Sequence, residues 1–496
     1  MSESENKLNR VGIIDRKLAI QGGMWSGVER FADQIVQFIV QLVLARLLLP
    51  EDFGLIALVM VVIQIASVFV RTGFGMGIVQ RQSLDEAYIS TAFWLNVAMA
   101  LLMYLVLYAG APLIAALYEH PQLTPLIRVL SLNLIAGSVT NLQVSLLQRN
   151  LQFKHLFLCT MPGKIVSAGL SVWAALSGWG AWALVVHLMS GTILNILLLW
   201  KISLWKPSLV FHVKSLRSLL AFGLPLVGTQ FMEQLFRQAS TAVVGAIYSS
   251  ALLGFYNRAQ AVQQMPTFLL INVVGRVAMP VFARCQDDKS RLLSGFSQGV
   301  QLLVGISAPA MVGLAVLAEP LVCLLLTDKW IDSVPLLQVF CLLGIIVPVH
   351  ELTNKLLLGV GNSRGLFRLN LVRSSILIGM LLLTLQQGVY AIVVGQVIGT
   401  YLGLLVNHFW LKEFGYTMGA LLRDILPASF AAIGMGALVY SVASGIDLLF
   451  PKIGLSLLIG CSAYALISWL LGSLWWKFSC DALLALSRKK RSTRFS

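Results

Sequence analysis

Along this chain, apolar stretches of about 20 residues, the length that crosses a bilayer as a helix, recur with only short polar breaks. They lie near 22–46, 54–76, 90–111, 126–147, 157–177, 182–203, 218–246, 254–281, 296–318, 333–358, 366–386, 389–411, 423–446 and 453–476. This pattern predicts an all-α polytopic membrane protein with about fourteen transmembrane helices. The breaks between spans are too short to hold a soluble catalytic domain, so the protein is expected to act within the bilayer.

Composition supports the same class. Of 496 residues, 58% are hydrophobic and 11% charged, against roughly a quarter charged in soluble domains. The net charge of +15 would suggest nucleic acid in a soluble protein, but in a membrane protein the placement of Lys and Arg carries the information. With the N-terminus inside, the cytoplasmic segments collect Lys7, Arg10, Arg149, Lys154, Lys201, Lys206, Arg284, Lys289, Arg364, Arg368, Lys412 and the tail from Arg488 to Arg494. The opposite side receives Arg46, Lys329 and Lys452. That asymmetry predicts both termini in the cytoplasm and an even number of spans, and the first 20 residues lack the pattern of a removable signal peptide. The six cysteines form no C-x-x-C, and the six histidines share no metal-ligand spacing, so neither a metal site nor a disulfide framework is expected. His350 beside Glu351 is a candidate titrating group or a satisfied structural histidine.

The chain repeats itself. A shift of 200 positions aligns Gly23 with Gly223, Phe31 with Phe231, Gln34 with Gln234, Val43 with Val243, Gly54 with Gly254, Gln64 with Gln264 and Gly75 with Gly275, and sets Asp33 against Glu233. Six spans per copy make these parallel repeats, related by an axis along the membrane normal. The expected organisation is a cytoplasmic segment 1–20, a lobe 21–206, a linker 207–217, a second lobe 218–411, two further helices within 423–476 and a basic cytoplasmic tail 477–496. The tail is suited to anionic lipid at the inner surface.

Several residues do not suit a lipid-facing helix. In span 1, Arg30, Asp33, Gln34, Gln37 and Gln41 fall at helical spacing on one face, and span 7 repeats the design with Gln230, Glu233, Gln234, Arg237 and Thr241. A charge near the bilayer centre costs about 3 kcal/mol on insertion scales, so both stripes should face a hydrated interior. Within each stripe, acid and base lie three or four residues apart, which equally suits structural ion pairs between Arg30 and Asp33 and between Glu233 and Arg237. Lys164 and Arg373 sit about two turns inside spans 5 and 11, at matching places in the repeat. Arg258 and Lys355 are further membrane-level cations, whereas Arg71 and Arg276 are placed to snorkel to the interface. A basic, hydrated cavity between two lobes suits an anionic ligand, because Arg forks onto phosphate oxygens. Gly22, Gly23, Gly223, Pro225 and Pro266 interrupt the polar spans and would let them bend.

The segment Trp25–Gln41, followed by Ala45-Arg46-Leu47-Leu48-Leu49-Pro50-Glu51-Asp52-Phe53-Gly54, resembles the Wzx-type polysaccharide exporters of the MOP flippase superfamily. The segment Leu146-Leu147-Gln148-Arg149-Asn150-Leu151-Gln152-Phe153-Lys154 is similar to the colanic-acid-exporter branch. The resemblance implies two six-helix lobes plus two C-terminal helices. It also implies a non-enzymatic transporter that flips undecaprenyl-pyrophosphate-linked oligosaccharide repeat units across the bacterial inner membrane, for exopolysaccharide or lipopolysaccharide O-antigen synthesis. Alternating access without a cofactor, with H+ or Na+ as candidate coupling ions, is the implied mechanism. Polysaccharide polymerase and export machinery are the implied partners, alongside membrane lipids and no nucleic acid. Arg30, Asp33, Gln34, Gln37, Glu233, Gln234, Arg237, Lys164, Arg373 and Arg258 are the candidate cavity residues. Alternatives are a lipid II flippase or a multidrug extruder of the same superfamily. From another class, a polysaccharide polymerase or ligase would need long outward loops with catalytic Arg or His, where this chain has only short loops and His120.

Overall fold

The computed structural model describes residues 16–71, 86–150, 152–203, 205–208, 210–446 and 448–470. The basic tail, Arg81 and the first 15 residues, which carry part of the expected charge asymmetry, lie outside the described residues. All regular elements among the described residues are helical. In chain order they are α1 (Arg16–Leu47), α2 (Pro50–Arg71), α3 (Glu86–Leu117), α4 (Leu123–Leu130), α5 (Leu132–Arg149), α6 (Phe153–Leu176), α7 (Ala181–Ile202) and α8 (Val213–Ile247). They continue as α9 (Ser250–Arg284), α10 (Lys289–Val316), α11 (Ala318–Leu325), α12 (Val334–Gly359), α13 (Ser363–Thr384), α14 (Val389–Lys412), α15 (Met418–Ser444) and α16 (Leu449–Leu470), with a 3-10 turn at Asp328–Ser333.

Eleven stretches among the described residues are long and apolar enough to cross a membrane. Three more helices, α1, α8 and α9, are 32, 35 and 35 residues long, enough at 1.5 Å per residue to traverse the hydrocarbon layer. They are less apolar because α1 and α8 carry the polar stripes and α9 carries Arg258, Gln260, Gln263 and Gln264. Large side chains such as Leu113, Leu383, Phe409 and Leu458 stand outward and exposed, as lipid-facing residues do. This is a multi-pass membrane protein whose regular elements, among the described residues, are all helical.

The chain forms two compact units, Met1–Gly254 and Phe255–Ser496. In the first, α6 packs along α7 and against α1, α8 lies on α2 and α3, and α3 packs on α4 and α5. Tyr88, Ile89 and Phe93 of α3 bury against Leu142, Leu146 and Leu219, with Phe93 meeting Trp94, Trp200 and Trp205 edge-on. The Ala45–Gly54 element is the corner between α1 and α2. Pro50 opens α2, where a helix has no use for the missing N–H, and the Asp52 carboxylate accepts the Leu49 N–H at 3.0 Å. A Cβ on Gly54 would fall on the carbonyl oxygen of Ser250, and one on Gly254 would fall on the carbonyl of Pro50. Each corner therefore presses its glycine against the first residue of the helix related to its own by the 200-residue shift.

In the second unit, α10 packs against α12 and α15, α14 against α12 and α13, and α15 against α16. The two helices outside the duplication are fastened by polar bonds. The buried Asp424 of α15 accepts from Ser297 and Gln301 of α10 and from Tyr416, each at 2.6 Å. Tyr464 of α16 donates to the Gly305 carbonyl at 2.7 Å. Among these partners Asp424 meets only neutral donors, so these bonds carry the work of holding its carboxyl inside the protein.

Candidate functional site

The polar stripe of α1 sets Asp33 and Gln34 half-buried and Gln37 exposed on one helix. The side chain of Arg30 lies outside the described residues. Asp33 accepts a hydrogen bond from the ammonium of Lys164, which α6 brings alongside through its packing on α1. Both side chains remain 37% exposed, so the pair lies at the edge of the unit. The sequence offers Arg30, one turn away, as a partner of Asp33, and folding adds one 131 residues on.

On α8, Arg237 donates to Glu233 at 2.6 Å, one helical turn apart, and both side chains stand well exposed. Gln234 takes a different role. It donates to Gln64 of α2 at 3.0 Å, and Gln238 donates to the same oxygen at 2.6 Å. Gln64 thus joins α8 to α2. Sequence reasoning used it only as a repeat match, although a lone glutamine in the apolar run of α2 was a visible sign of a polar partner.

In the second unit, Arg258 is buried, with its guanidinium 5.4 Å from the centre of the Trp330 ring, itself fully buried. Arg373 of α13 is set quite differently. Its Nε donates to Oδ1 of Asn407 at 2.7 Å and its Nη2 donates to the same oxygen. Its Nη1 donates to Asn354 at 3.0 Å and Asn370 at 3.3 Å. These acceptors are amide oxygens from α12, α13 and α14, and the carboxylate that acts on Arg373, Glu351, does so through space rather than as a bonded partner. Asn354 in turn donates to Glu351 at 3.5 Å. Glu351 and Lys355, with Gly275, Leu303 and Pro348, line a small cleft. His350 and Asn407, absent from the sequence-based candidates except for the mention of His350, complete this cluster, and Asn407 gave no signal beyond being polar within an apolar span.

The structure therefore brings together Asp33 with Lys164, Glu233 with Arg237, and Gln234 with Gln64. It gives Arg373 a set of amides and buries Arg258 over an indole. In the first unit, carboxylate and cation balance at both pairs, while in the second Arg373 bonds to neutral amides.

A family model described as polysaccharide biosynthesis protein matches residues 43–335, more than half of the chain. The lipopolysaccharide biosynthesis protein WzxC of Escherichia coli (strain K12) is 25% identical over 401 residues, covering 79% of this chain and 81% of that protein. The succinoglycan biosynthesis transport protein ExoT of Rhizobium meliloti (strain 1021) is 26% identical over 362 residues, 73% of each. Among solved structures, the lipid II flippase MurJ in an inward closed conformation superposes with a TM-score of 0.75 at 16% identity, covering 90% of this chain and 98% of that one. An inward-facing multidrug resistance MATE family transporter of the MOP superfamily gives a TM-score of 0.63 at 15% identity, covering 80% and 99%. At such identities the two structures speak for the fold alone, an all-helical one of the kind the sequence predicts. The chain belongs to the polysaccharide biosynthesis protein family.

Proposed function

We propose that this protein carries undecaprenyl-pyrophosphate-linked oligosaccharide repeat units from the cytoplasmic to the periplasmic leaflet of the bacterial inner membrane, feeding exopolysaccharide or O-antigen assembly. The observation that carries this reading is Arg373, a fork of donors held by neutral amides at membrane level. A pyrophosphate oxygen replacing an amide oxygen gains a full ionic interaction, where displacing a carboxylate would only exchange one anion for another. The names of relatives, a lipopolysaccharide biosynthesis protein and a succinoglycan transport protein, support a glycan as the load.

In this reading α1, α8 and α9 complete fourteen crossings and both termini face the cytoplasm. The lobes 21–206 and 218–411 open alternately to the two sides while the polyprenyl tail stays in lipid. Arg373 and Lys164 hold the head group, and the stripes around Asp33, Gln37, Glu233 and Arg237 wet its route. No bond of the substrate is made or broken, and polymerase and export machinery receive the product.

The test is a deletion strain lacking redundant flippases, with lipid extracted and probed for access to a periplasmic ligase. The expected outcome is lipid-linked repeat units trapped on the cytoplasmic side, restored to the periplasm by the intact gene and not by an Arg373→Ala gene. Normal periplasmic delivery in the deletion strain would refute the reading. Rescue of a strain depleted of its lipid II flippase, or a rise in drug resistance on overexpression, would move the substrate to lipid II or to organic cations.

A further inference from the structure

Asn407 of α14 stands between Arg373 and His350, and the chemistry of its two neighbours fixes every proton in the row. The Nε and Nη2 of Arg373 are donors and never acceptors, so the Asn407 atom that meets both is its amide oxygen. Its Nδ2 is then the atom 2.9 Å from Nδ1 of His350 and 3.4 Å from the hydroxyl oxygen of Thr353. Thr353 spends its own proton on the Val349 carbonyl at 3.0 Å, so it accepts from Asn407. Because Asn407 Nδ2 donates, His350 Nδ1 must accept and carries no proton. The other ring nitrogen, Nε2, lies 3.0 Å from the Thr400 carbonyl and must donate. Buried His350 is therefore a neutral imidazole whose tautomer is set, through one amide, by the guanidinium of Arg373.

A proton added to Nδ1 would set an N–H against the N–H of Asn407. The contact is relieved when the amide turns over and offers its oxygen to His350. Its NH2 then faces Arg373, donor against donor, and the guanidinium keeps only the Nη1 bonds to Asn354 and Asn370. Asn354, which keeps its bond to the guanidinium, itself donates to Glu351, which lines a cleft together with Lys355. The ionisable groups around His350 are few. Its own helix brings Glu351 and Lys355, and α13 brings Arg373. Helix α14 faces it with Thr400, Gly403 and Asn407, and residues 292–316 of α10 contain no ionisable side chain. Helix α9 approaches α12 at Gly275, beside Lys355, and at Gly359 through Met279 and Phe282.

We propose that His350 is a proton-binding site whose occupancy, relayed through Asn407, determines whether Arg373 is held by the protein or released to bind a pyrophosphate-class anion. The identity of the anion rests on the function proposed above, whereas the relay itself does not. The proton comes from solvent and rests on Nδ1, with no other bond changed. By reciprocity, an anion drawn onto Arg373 raises the proton affinity of His350 by the same factor, which makes loading and protonation one event.

The full-length protein in lipid nanodiscs is titrated with undecaprenyl pyrophosphate at about pH 5.5 and about pH 8, on either side of the ordinary histidine range. Wild type is expected to bind about tenfold more tightly at the lower pH, a typical coupling. His350→Gln, whose amide accepts from Asn407 without titrating, should bind weakly at both. Asn407→Leu, which leaves Arg373 unheld, should bind tightly at both. Comparing variants cancels any titration of the ligand itself. A pH dependence that survives in His350→Gln overturns the relay. A second measurement needs no ligand: in 15N-histidine spectra, Arg373→Ala should let His350 take its second proton at higher pH than in wild type, since Asn407 is then free to turn. An unchanged His350 titration in Arg373→Ala overturns the relay, even if that variant has lost anion binding. Unchanged anion binding in Arg373→Ala, with a shifted His350 titration, would instead sink the head-group role and leave the relay standing.

Discussion

Lys164 and Arg373 sit on the fifth long helix of their respective repeats, yet folding gives them opposite company. Lys164 on α6 meets the carboxylate of Asp33, whereas Arg373 on α13 meets amide oxygens of Asn407, Asn354 and Asn370. The first arrangement is electrically closed. An anion approaching Lys164 must compete with a carboxylate already bound, in a medium where the attraction between unit charges far exceeds its value in water. The second arrangement is more open, because the bonded acceptors are neutral amides and Glu351 acts on the guanidinium only through space. Duplicated helices thus carry one cation bonded to a carboxylate and one bonded to amides, and the neighbour decides which.

The strongest way to break this comparison is to remove the open site. Arg373→Ala should slow flipping about a hundredfold, the scale of about 3 kcal/mol for losing one member of a desolvated charge pair, measured as translocation of a fluorescent lipid-linked oligosaccharide in proteoliposomes. Arg373→Lys should fall between, since an ammonium keeps the charge and loses the fork. Equal rates for Arg373→Ala and wild type would end the distinction between the sites. Lys164→Ala should cost about tenfold in the same assay, less because Lys164 is already engaged, and should also lower thermal stability by leaving Asp33 unpaired. The double variant Asp33→Asn with Lys164→Gln should recover the melting temperature without recovering transport.

Asp33→Asn sharpens the contrast from the other side. It converts the first unit to the amide-held condition of the second and should tighten undecaprenyl pyrophosphate binding about threefold, a gain of the size typical of one partly exposed charge pair. Unchanged or weaker binding would show that Lys164 does not meet the ligand. The smallest effect is expected at Gln64→Ala, which strips Gln234 and Gln238 of a shared acceptor. A loss of about 1 kcal/mol in stability, with transport kept within about twofold, is the expected result.

Much of this was legible in the chain. The apolar runs, the repeat and the polar faces of α1 and α8 follow from local spacing, and the pair between Glu233 and Arg237 forms at the i, i+4 distance that spacing predicts. The Ala45–Gly54 segment was recognisable as a family element, but its purpose was not. That Gly54 must lack a side chain because Ser250 lies against it emerges only once α2 and α9 meet. Arg258 shows the same gap. Its sequence neighbours mark it as a membrane-level cation, and only the approach of Trp330, far along the chain, buries it over an indole. Asp33 bonds Lys164, 131 residues along the chain, a partner that no local spacing announced.

By itself, the sequence determined that the protein lives in a membrane, that it is helical and duplicated, and which helices are wet. Those properties arise from insertion energies and from periodicity, which act over a few turns of helix. Tertiary structure alone decided which cation bonds a carboxylate and which bonds amides, and that one amide stands between Arg373 and His350. Charge pairing falls off over a few ångströms in space and has no regard for distance along the chain, so no local pattern could have carried it.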